Sequence, residues 1–234
     1  MIARFEELDW QETPMGELTL RRRADPATGE LIYEVRLKDE YLMSSLFTVA
    51  EEELATLGLA AAEGAVLDVV VGGLGLGYTA ATALRDGRVR RLDVIDALPA
   101  VIGWHERELL PMSAQLVRDS RTSLVHDDFF AVMRRTPEPG DPLYDAILLD
   151  VDHSPRHTLD PSHADLYTAA GLASLARHLK DRGVFALWSD DPPDAEFMAV
   201  LSSIFDAGAA HVVDFDNHLT GGTSSNTVYV AIRR

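Results

Sequence analysis

Hydrophobic positions follow two regimes along the chain. Over residues 1 to about 48 they alternate with polar ones, as in Leu18-Thr-Leu-Arg-Arg and Leu31-Ile-Tyr-Glu-Val-Arg-Leu. A turn-rich stretch from Asp25 to Glu30 separates these two runs, and Asp39-Glu40 precedes a third at Tyr41. Period-two alternation broken by Asp, Pro and Gly predicts two or three antiparallel strands, a small N-terminal β element over 1–48. A helix is then expected to about Glu63, with Leu54, Leu57 and Ala61 on one face and a capping box made by Thr48 and Glu51. Glu51, Glu52 and Glu53 fall in its first turn, where the helix dipole accounts for all three.

Beyond that helix the apolar runs become short and continuous, as buried parallel strands require. Strands are expected at 66–71, 91–95, 123–126, 144–150 and 184–188. Helices are expected between them at 78–84, 99–110, 129–134 and 163–179, and another at 194–206. Runs at 211–215 and 227–232 close the sheet, the last strand antiparallel. Strands alternating with helices predict a doubly wound α/β sheet over 49–234.

Candidate chemistry gathers where those strands end. The first leads into Gly72-Gly-Leu-Gly-Leu-Gly77, and the next ends in Asp96. Strand, glycine turn, helix, strand and acid is the layout of a nucleoside-binding βαβ unit, the glycines permitting a tight turn and close approach of backbone to a ligand. Further acids stand at Asp127 and Asp128, Asp150, and Asp190 and Asp191. Ligands in such sheets bind outside the carboxyl ends of the strands, the edge these acids share. Asp152 and His153 follow Asp150 directly and join it as catalytic candidates, ahead of a proline-bearing loop over 153–161. His105, His153, His157 and His163 form no helical ligand pair, because Pro155 lies between His153 and His157, so no metal site is expected. No serine sits in a G-x-S-x-G elbow.

Composition narrows the partners. The formal net charge of −17 argues against nucleic acid and anionic membrane, and is compatible with a cationic substrate. Cysteine is absent, so no disulfide framework or thiolate metal site is available. No apolar run resembles a leader or a membrane span, and a cytoplasmic location is expected.

The spacing Gly73-x-Gly75-x-Gly77 resembles the first motif of class I S-adenosylmethionine-binding proteins. Together with Val94-Ile-Asp96, Val125-His-Asp-Asp128 and Tyr144-Asp-Ala-Ile-Leu-Leu-Asp150-Val-Asp152, the stretch from Leu67 to Trp188 resembles the spermidine synthases, polyamine aminopropyltransferases. The resemblance implies a Rossmann-like sheet of class I methyltransferase type behind a small N-terminal antiparallel β element. It implies S-adenosylmethionine or its decarboxylated form as cofactor. Gly73, Gly75 and Gly77 would line the aminoacyl or aminopropyl part, Asp96 would hold the ribose diol, and Asp127 and Asp128 would lie at the adenine, with Asp128 accepting from its amino group. Asp150, beside the cofactor, would be the catalytic acid that takes the proton of an attacking amine. A small cationic amine substrate and a homodimer are implied as well. The chain departs from the family at Gly75, where an aspartate is usual, at Glu51-Glu-Glu-Leu-Ala, which lacks a Tyr-His-Glu element, and at Trp188, which replaces a glutamine. The readings that remain are aminopropyl transfer, methyl transfer from S-adenosylmethionine to a small molecule, and a non-catalytic nucleoside-binding or dimerisation module.

Overall fold

The computed structural model describes residues 5–26, 28–38 and 40–234. Residues 1–4 of the expected β element, Ala27 of the expected 25–30 turn and Asp39 lie outside the described residues. Four strands, one more than the alternation predicts at most, form the small sheet: β1 (Glu6–Thr13), β2 (Gly16–Ala24), β3 (Leu31–Leu37) and β4 (Glu40–Ser44). They pair antiparallel in chain order. The extra strand, β1, reads Glu-Glu-Leu-Asp-Trp-Gln-Glu-Thr and has no buried apolar stripe to announce it.

After α1 (Val49–Ala61) come β5 (Leu67–Gly72), α2 (Tyr78–Ala83), β6 (Val89–Asp96), α3 (Pro99–Glu106), α4 (Ser113–Arg118) and β7 (Thr122–His126). The chain continues through α5 (Phe129–Arg134), β8 (Tyr144–Leu149), a 3-10 helix (Pro161–Tyr167), α6 (Ala169–Ala176) and β9 (Leu179–Ser189). It ends with α7 (Ala195–Ile204), β10 (Ala207–Asn217) and β11 (Gly222–Ile232). The seven strands are ordered β10-β11-β9-β8-β5-β6-β7, and only β11 runs against the others.

Alternate residues of each central strand feed opposite layers, as a pleated strand requires. Val69, Val71, Ala146, Leu148, Val184 and Ala186 face the core that contains α1 to α4 and the buried face of the small sheet. Val70, Ile147, Leu149, Phe185 and Leu187 face the core that contains α5 to α7. The chain leaves β5 for β6 and β7, then returns to β8 on the other side of β5. The carboxyl end of β5 is therefore the switch point of the sheet, where ligands bind in this architecture.

Two helices end earlier than periodicity suggests. The helix expected to reach residue 110 stops at Glu106, because Glu108 adopts φ +53° and turns the chain into α4. The helix expected over 163–179 is split: Thr168 caps α6 by accepting from the Gly171 N–H, and a Cβ on Gly171 would lie 2.1 Å from the Asp165 carbonyl oxygen. The glycine is the packing requirement of that corner.

Asp9 ties the small sheet to the large one. Its Oδ2 accepts from Trp104 Nε1 at 2.6 Å, Arg107 Nη2 at 2.8 Å and Gln11 Nε2 at 2.8 Å. Burial works to raise its pKa, but these donors outweigh it and hold the carboxyl below its ordinary range. Asp9→Ala leaves the buried Trp104 N–H unpaired, and we expect it to cost about 2–3 kcal/mol, measured by denaturant unfolding. Asp9→Asn, which keeps one acceptor oxygen, should cost less.

Candidate functional site

The site is assembled around the turn after β5. Gly73 adopts φ +93° and donates to the Ile95 carbonyl at 2.9 Å, while the Asp150 N–H donates to the Gly72 carbonyl at 2.8 Å. The ends of β5, β6 and β8 are thereby locked together. A Cβ on Gly73 would stand 2.1 Å from the Asp150 carbonyl oxygen, so no side chain fits there. Gly77, with φ +90°, starts α2, and a Cβ on it would meet His105 Cε1 at 2.8 Å.

His105 is fully buried beneath this loop and was not singled out by the sequence for it. Its Nε2 lies 2.9 Å from the Gly75 carbonyl oxygen, which can only accept, so Nε2 carries the proton. Nδ1 then accepts from Ser113 Oγ at 3.2 Å. Burial lowers the pKa of His105 and keeps it neutral, the state this arrangement needs.

Two adjoining cavities open at this edge. The larger, about 260 Å³, is lined by Gly73, Gly75, Asp96, Asp128 and Asp150, with Phe129, Phe130 and His163 at one side. The small sheet covers it with Met15, Leu18, Val35, Leu37, Leu42 and Met43. The smaller, about 80 Å³, is lined by Ser44, Glu51, Tyr78, His153 and Trp188, and by Asp150 again. Gly75, Met43 and Asp150 belong to both walls. Among the described residues, no Lys or Arg lines either cavity.

Asp96 accepts from the Leu74 N–H at 2.9 Å and the Leu98 N–H at 2.8 Å, which fixes its carboxylate at the cavity edge. Burial raises its pKa against these stabilising donors. Asp128 caps α5, its Oδ1 accepting from the Phe130 and Ala131 N–H groups. Oδ2 is left without a protein donor among the described residues.

Asp150 stands where the cavities meet. Its Oδ2 accepts from Thr79 Oγ1 at 2.6 Å, and that hydroxyl lies 3.2 Å from the Glu51 carbonyl oxygen. Burial pushes Asp150 up to about 6. Glu51 is pushed to about 8, by burial first and then by the charge of Asp150. Two carboxyls in one low-dielectric pocket do not both ionise easily, so near neutrality the pair holds one proton and one charge.

Glu51 corrects the sequence reading. The capping box does not form: Thr48 makes no side-chain cap, and its hydroxyl instead donates to Glu52 Oε1. Glu51 turns into the smaller cavity, a direction that its place in a first turn does not reveal. Two other expected residues are placed away from the cavities. Asp127 is exposed, accepts from the Asp128 N–H and lies 3.9 Å from Arg135. Asp152 is buried, accepting from the Leu159 N–H, His163 Nδ1 and Tyr167 Oη. It anchors the loop after β8 and touches neither cavity. His153 does line the smaller cavity, with Nε2 3.0 Å from Glu40 Oε1. Asp190 and Asp191 hold the wall behind it: Asp190 accepts from Asn226 Nδ2, and Asp191 pairs with His157.

Comparison with solved structures decides the fold family. A spermidine synthase from Thermotoga maritima superposes with a TM-score of 0.73 at 17% identity, over 97% of this chain and 73% of that one. The chain shares the spermidine synthase fold. A spermidine synthase in complex with the transition-state analogue AdoDATO matches with a TM-score of 0.72 at 16% identity, covering 97% of this chain and 72% of that one. A probable spermidine synthase from Corynebacterium glutamicum ATCC 13032 matches with a TM-score of 0.65 at 14% identity, over 97% and 79%. No protein-family model matches the sequence, and no curated protein matches it. No helix among the described residues is long and apolar enough to cross a membrane.

The carboxyl pair has a signature in stability. The folded protein keeps a proton on Glu51 between its ordinary 4.5 and about 8, whereas the unfolded chain has released it. Glu51 therefore contributes stability that falls as the pH climbs through that window. Glu51→Gln removes the slope. Its melting temperature should rise relative to wild type between about pH 5 and about pH 8; a constant difference would place Glu51 outside the pair.

Proposed function

We propose that this chain is a spermidine synthase-like transferase. It binds a decarboxylated S-adenosylmethionine-type nucleoside in the larger cavity and a small cationic amine in the smaller one, and transfers an aminopropyl group between them. The observation that carries this reading is Asp150, a buried carboxyl pushed up to about 6, in the wall shared by two cavities that no lysine or arginine among the described residues lines. The solved spermidine synthases of like fold, one holding AdoDATO, support the choice of reaction class.

The donor set suits such a ligand. Asp96 would accept from a ribose diol, Asp128 from the amino group of the base, and the glycine turn leaves room for backbone to lie against the ligand. Bound there, the nucleoside supplies a carbon made electrophilic by an adjacent sulfonium. Glu51 and Asp150 attract an ammonium into the smaller cavity. Asp150 then accepts a proton so that a neutral amine lone pair faces the larger cavity, help typically worth about 10²–10⁴-fold. Alignment of the two ligands across one wall contributes the rest, because it replaces a bimolecular encounter with a held pair. Thr79 keeps the Asp150 carboxylate in place during this step.

Intact S-adenosylmethionine brings a carboxylate. In these cavities it would meet Glu51 and Asp150, with no lysine or arginine among the described residues lining them to pair with it, an unfavourable electrostatic contact. Gly75, which lacks the aspartate usual in the resembling family, would otherwise open space for that group. Met43 takes the space: a Cβ on Gly75 would lie 2.8 Å from its Sδ. Methyl transfer is therefore the second reading.

Calorimetric titration separates the readings. We expect the decarboxylated form to bind at least about ten-fold tighter than intact S-adenosylmethionine, a difference of about 1.4 kcal/mol. The reverse order would move the assignment to methyl transfer, and binding of neither by folded protein would leave a non-catalytic module. Asp96→Ala should weaken nucleoside binding. Asp150→Asn should keep nucleoside binding and lower turnover by about 10²–10⁴-fold. In wild type, kcat/KM should rise with pH through about 6 as Asp150 loses its proton, and Glu51→Gln should raise the amine KM while keeping that limb.

A further inference from the structure

The smaller cavity is acidic at one place and largely apolar along the rest of its wall. Glu51 and Asp150 are the two acids among the described residues that line it. They stand together. The Thr79 hydroxyl donates to Asp150 Oδ2 at 2.6 Å and lies 3.2 Å from the Glu51 carbonyl oxygen, and the charge of Asp150 bears on Glu51. Much of the remaining wall is built from Leu42, Met43, Leu74, Leu76, Tyr78 and Trp188.

The other acids of this edge do not supply a second anionic place. Glu40 lies outside the wall, with Oε1 3.0 Å from His153 Nε2. Asp152 is consumed by three donors of its own loop. Asp191 lies 3.1 Å from His157 Nδ1. Asp190 accepts from Asn226 Nδ2 at 2.7 Å, and its charge bears on Glu51, so it adds to the existing acidic end. Polar groups in the rest of the wall carry no negative charge. Ser44 Oγ already accepts from the Leu46 N–H at 3.1 Å, and Trp188 Nε1 is a buried donor without a partner among the described residues.

We infer that the acceptor is a monoamine, one ammonium on an apolar chain, and that the wall of the smaller cavity discriminates against diamines. The inference rests on that cavity being the amine site of the proposed transferase, and goes beyond it by naming the class of amine selected. A monoamine sets its ammonium on the acidic end and lays its chain against the leucines, Tyr78 and Trp188, where burial of apolar surface favours it. A diamine of the same chain length brings a second ammonium to that apolar wall, and an unpaired cation removed from water is costly. In the transfer the amine nitrogen bonds to the carbon beside the sulfonium. The carbon–sulfur bond breaks with its electron pair to sulfur, and the proton of the amine passes to Asp150. The products are an N-alkyl-1,3-diaminopropane and 5′-methylthioadenosine.

The test uses the full chain with decarboxylated S-adenosylmethionine and two acceptors of equal chain length, 1-aminobutane and 1,4-diaminobutane. Readouts are kcat/KM, and calorimetric binding of each amine to protein saturated with 5′-methylthioadenosine. Wild type should favour 1-aminobutane by at least about ten-fold in both. Ser44→Asp adds a carboxylate to the wall while keeping an acceptor for the Leu46 N–H, and Leu42→Glu adds one at a residue that lines both cavities. Each should cut the ratio by about ten-fold, through better use of the diamine. Melting temperatures establish that the variants fold. If wild type favours the diamine or treats the two alike, the inference is overturned while the amine site stands. If neither folded variant changes the ratio, charge in this wall does not select the acceptor, and the inference is likewise overturned. If the protein binds 5′-methylthioadenosine yet neither binds nor alkylates either amine, the reading of the smaller cavity fails and takes the inference with it.

Discussion

Three strands of the central sheet end on one another at a position that tolerates no side chain. The Gly73 N–H bonds the end of β6, the Gly72 carbonyl receives the Asp150 N–H from the end of β8, and the Asp150 carbonyl occupies the space a Cβ on Gly73 would need. This contact sets the distance between the glycine loop and Asp150, and so the thickness of the wall that divides the two cavities. It sits at the topological switch point, where flanking strands diverge and leave a crevice. His105 supports the loop from below by a hydrogen bond to Gly75 that depends on a neutral ring.

Charge in this crevice is arranged rather than merely abundant. Many acids of the chain are paired on the surface, as in Arg118 with Glu108 or Arg156 with Asp194, where solvent weakens each pair. Glu51 and Asp150 have no basic partner among the described residues and share a pocket, where removal from water makes each costly to ionise. That cost makes the pocket receptive to an incoming cation. It also gives Asp150 an affinity for protons suited to accepting one near neutral pH. Asp152, two residues on, has the opposite fate. Three donors satisfy it, and it serves as the anchor of a loop rather than as a reactive group.

The small N-terminal sheet is part of the site. Leu18, Val35 and Leu37 share the core of the large domain and roof the larger cavity, while Met43 reaches Gly75 at the partition. The absence of a side chain at Gly75 and the presence of Met43 beside it are two faces of one packing solution. The Asp9 bridge to Trp104 and Arg107 fixes the roof over α3.

Much of this was legible in the chain. Short continuous apolar runs, a glycine turn and acids at strand ends specify a doubly wound sheet with its ligand edge, because strand period and backbone sterics are local properties. Gly73, Asp96, Asp128 and Asp150 follow from that edge alone, and all four line the larger cavity. The rest depends on contacts between residues far apart in sequence. The strand β1 lacked an apolar stripe, the α3 helix ended at a left-handed Glu108, and neither leaves a periodic mark. Glu51 looks like any acid in a first helical turn until α1 packs beside α2 and points it at Asp150. Asp152 and His163 are eleven residues apart, and only the fold of the loop makes one the orienter of the other. Sequence by itself determined the sheet and the acids along its edge, since these depend on local pattern. Tertiary structure alone decided which acids stay unpaired in a shared dry pocket and which are consumed as anchors, since burial and partners are properties of the packed chain.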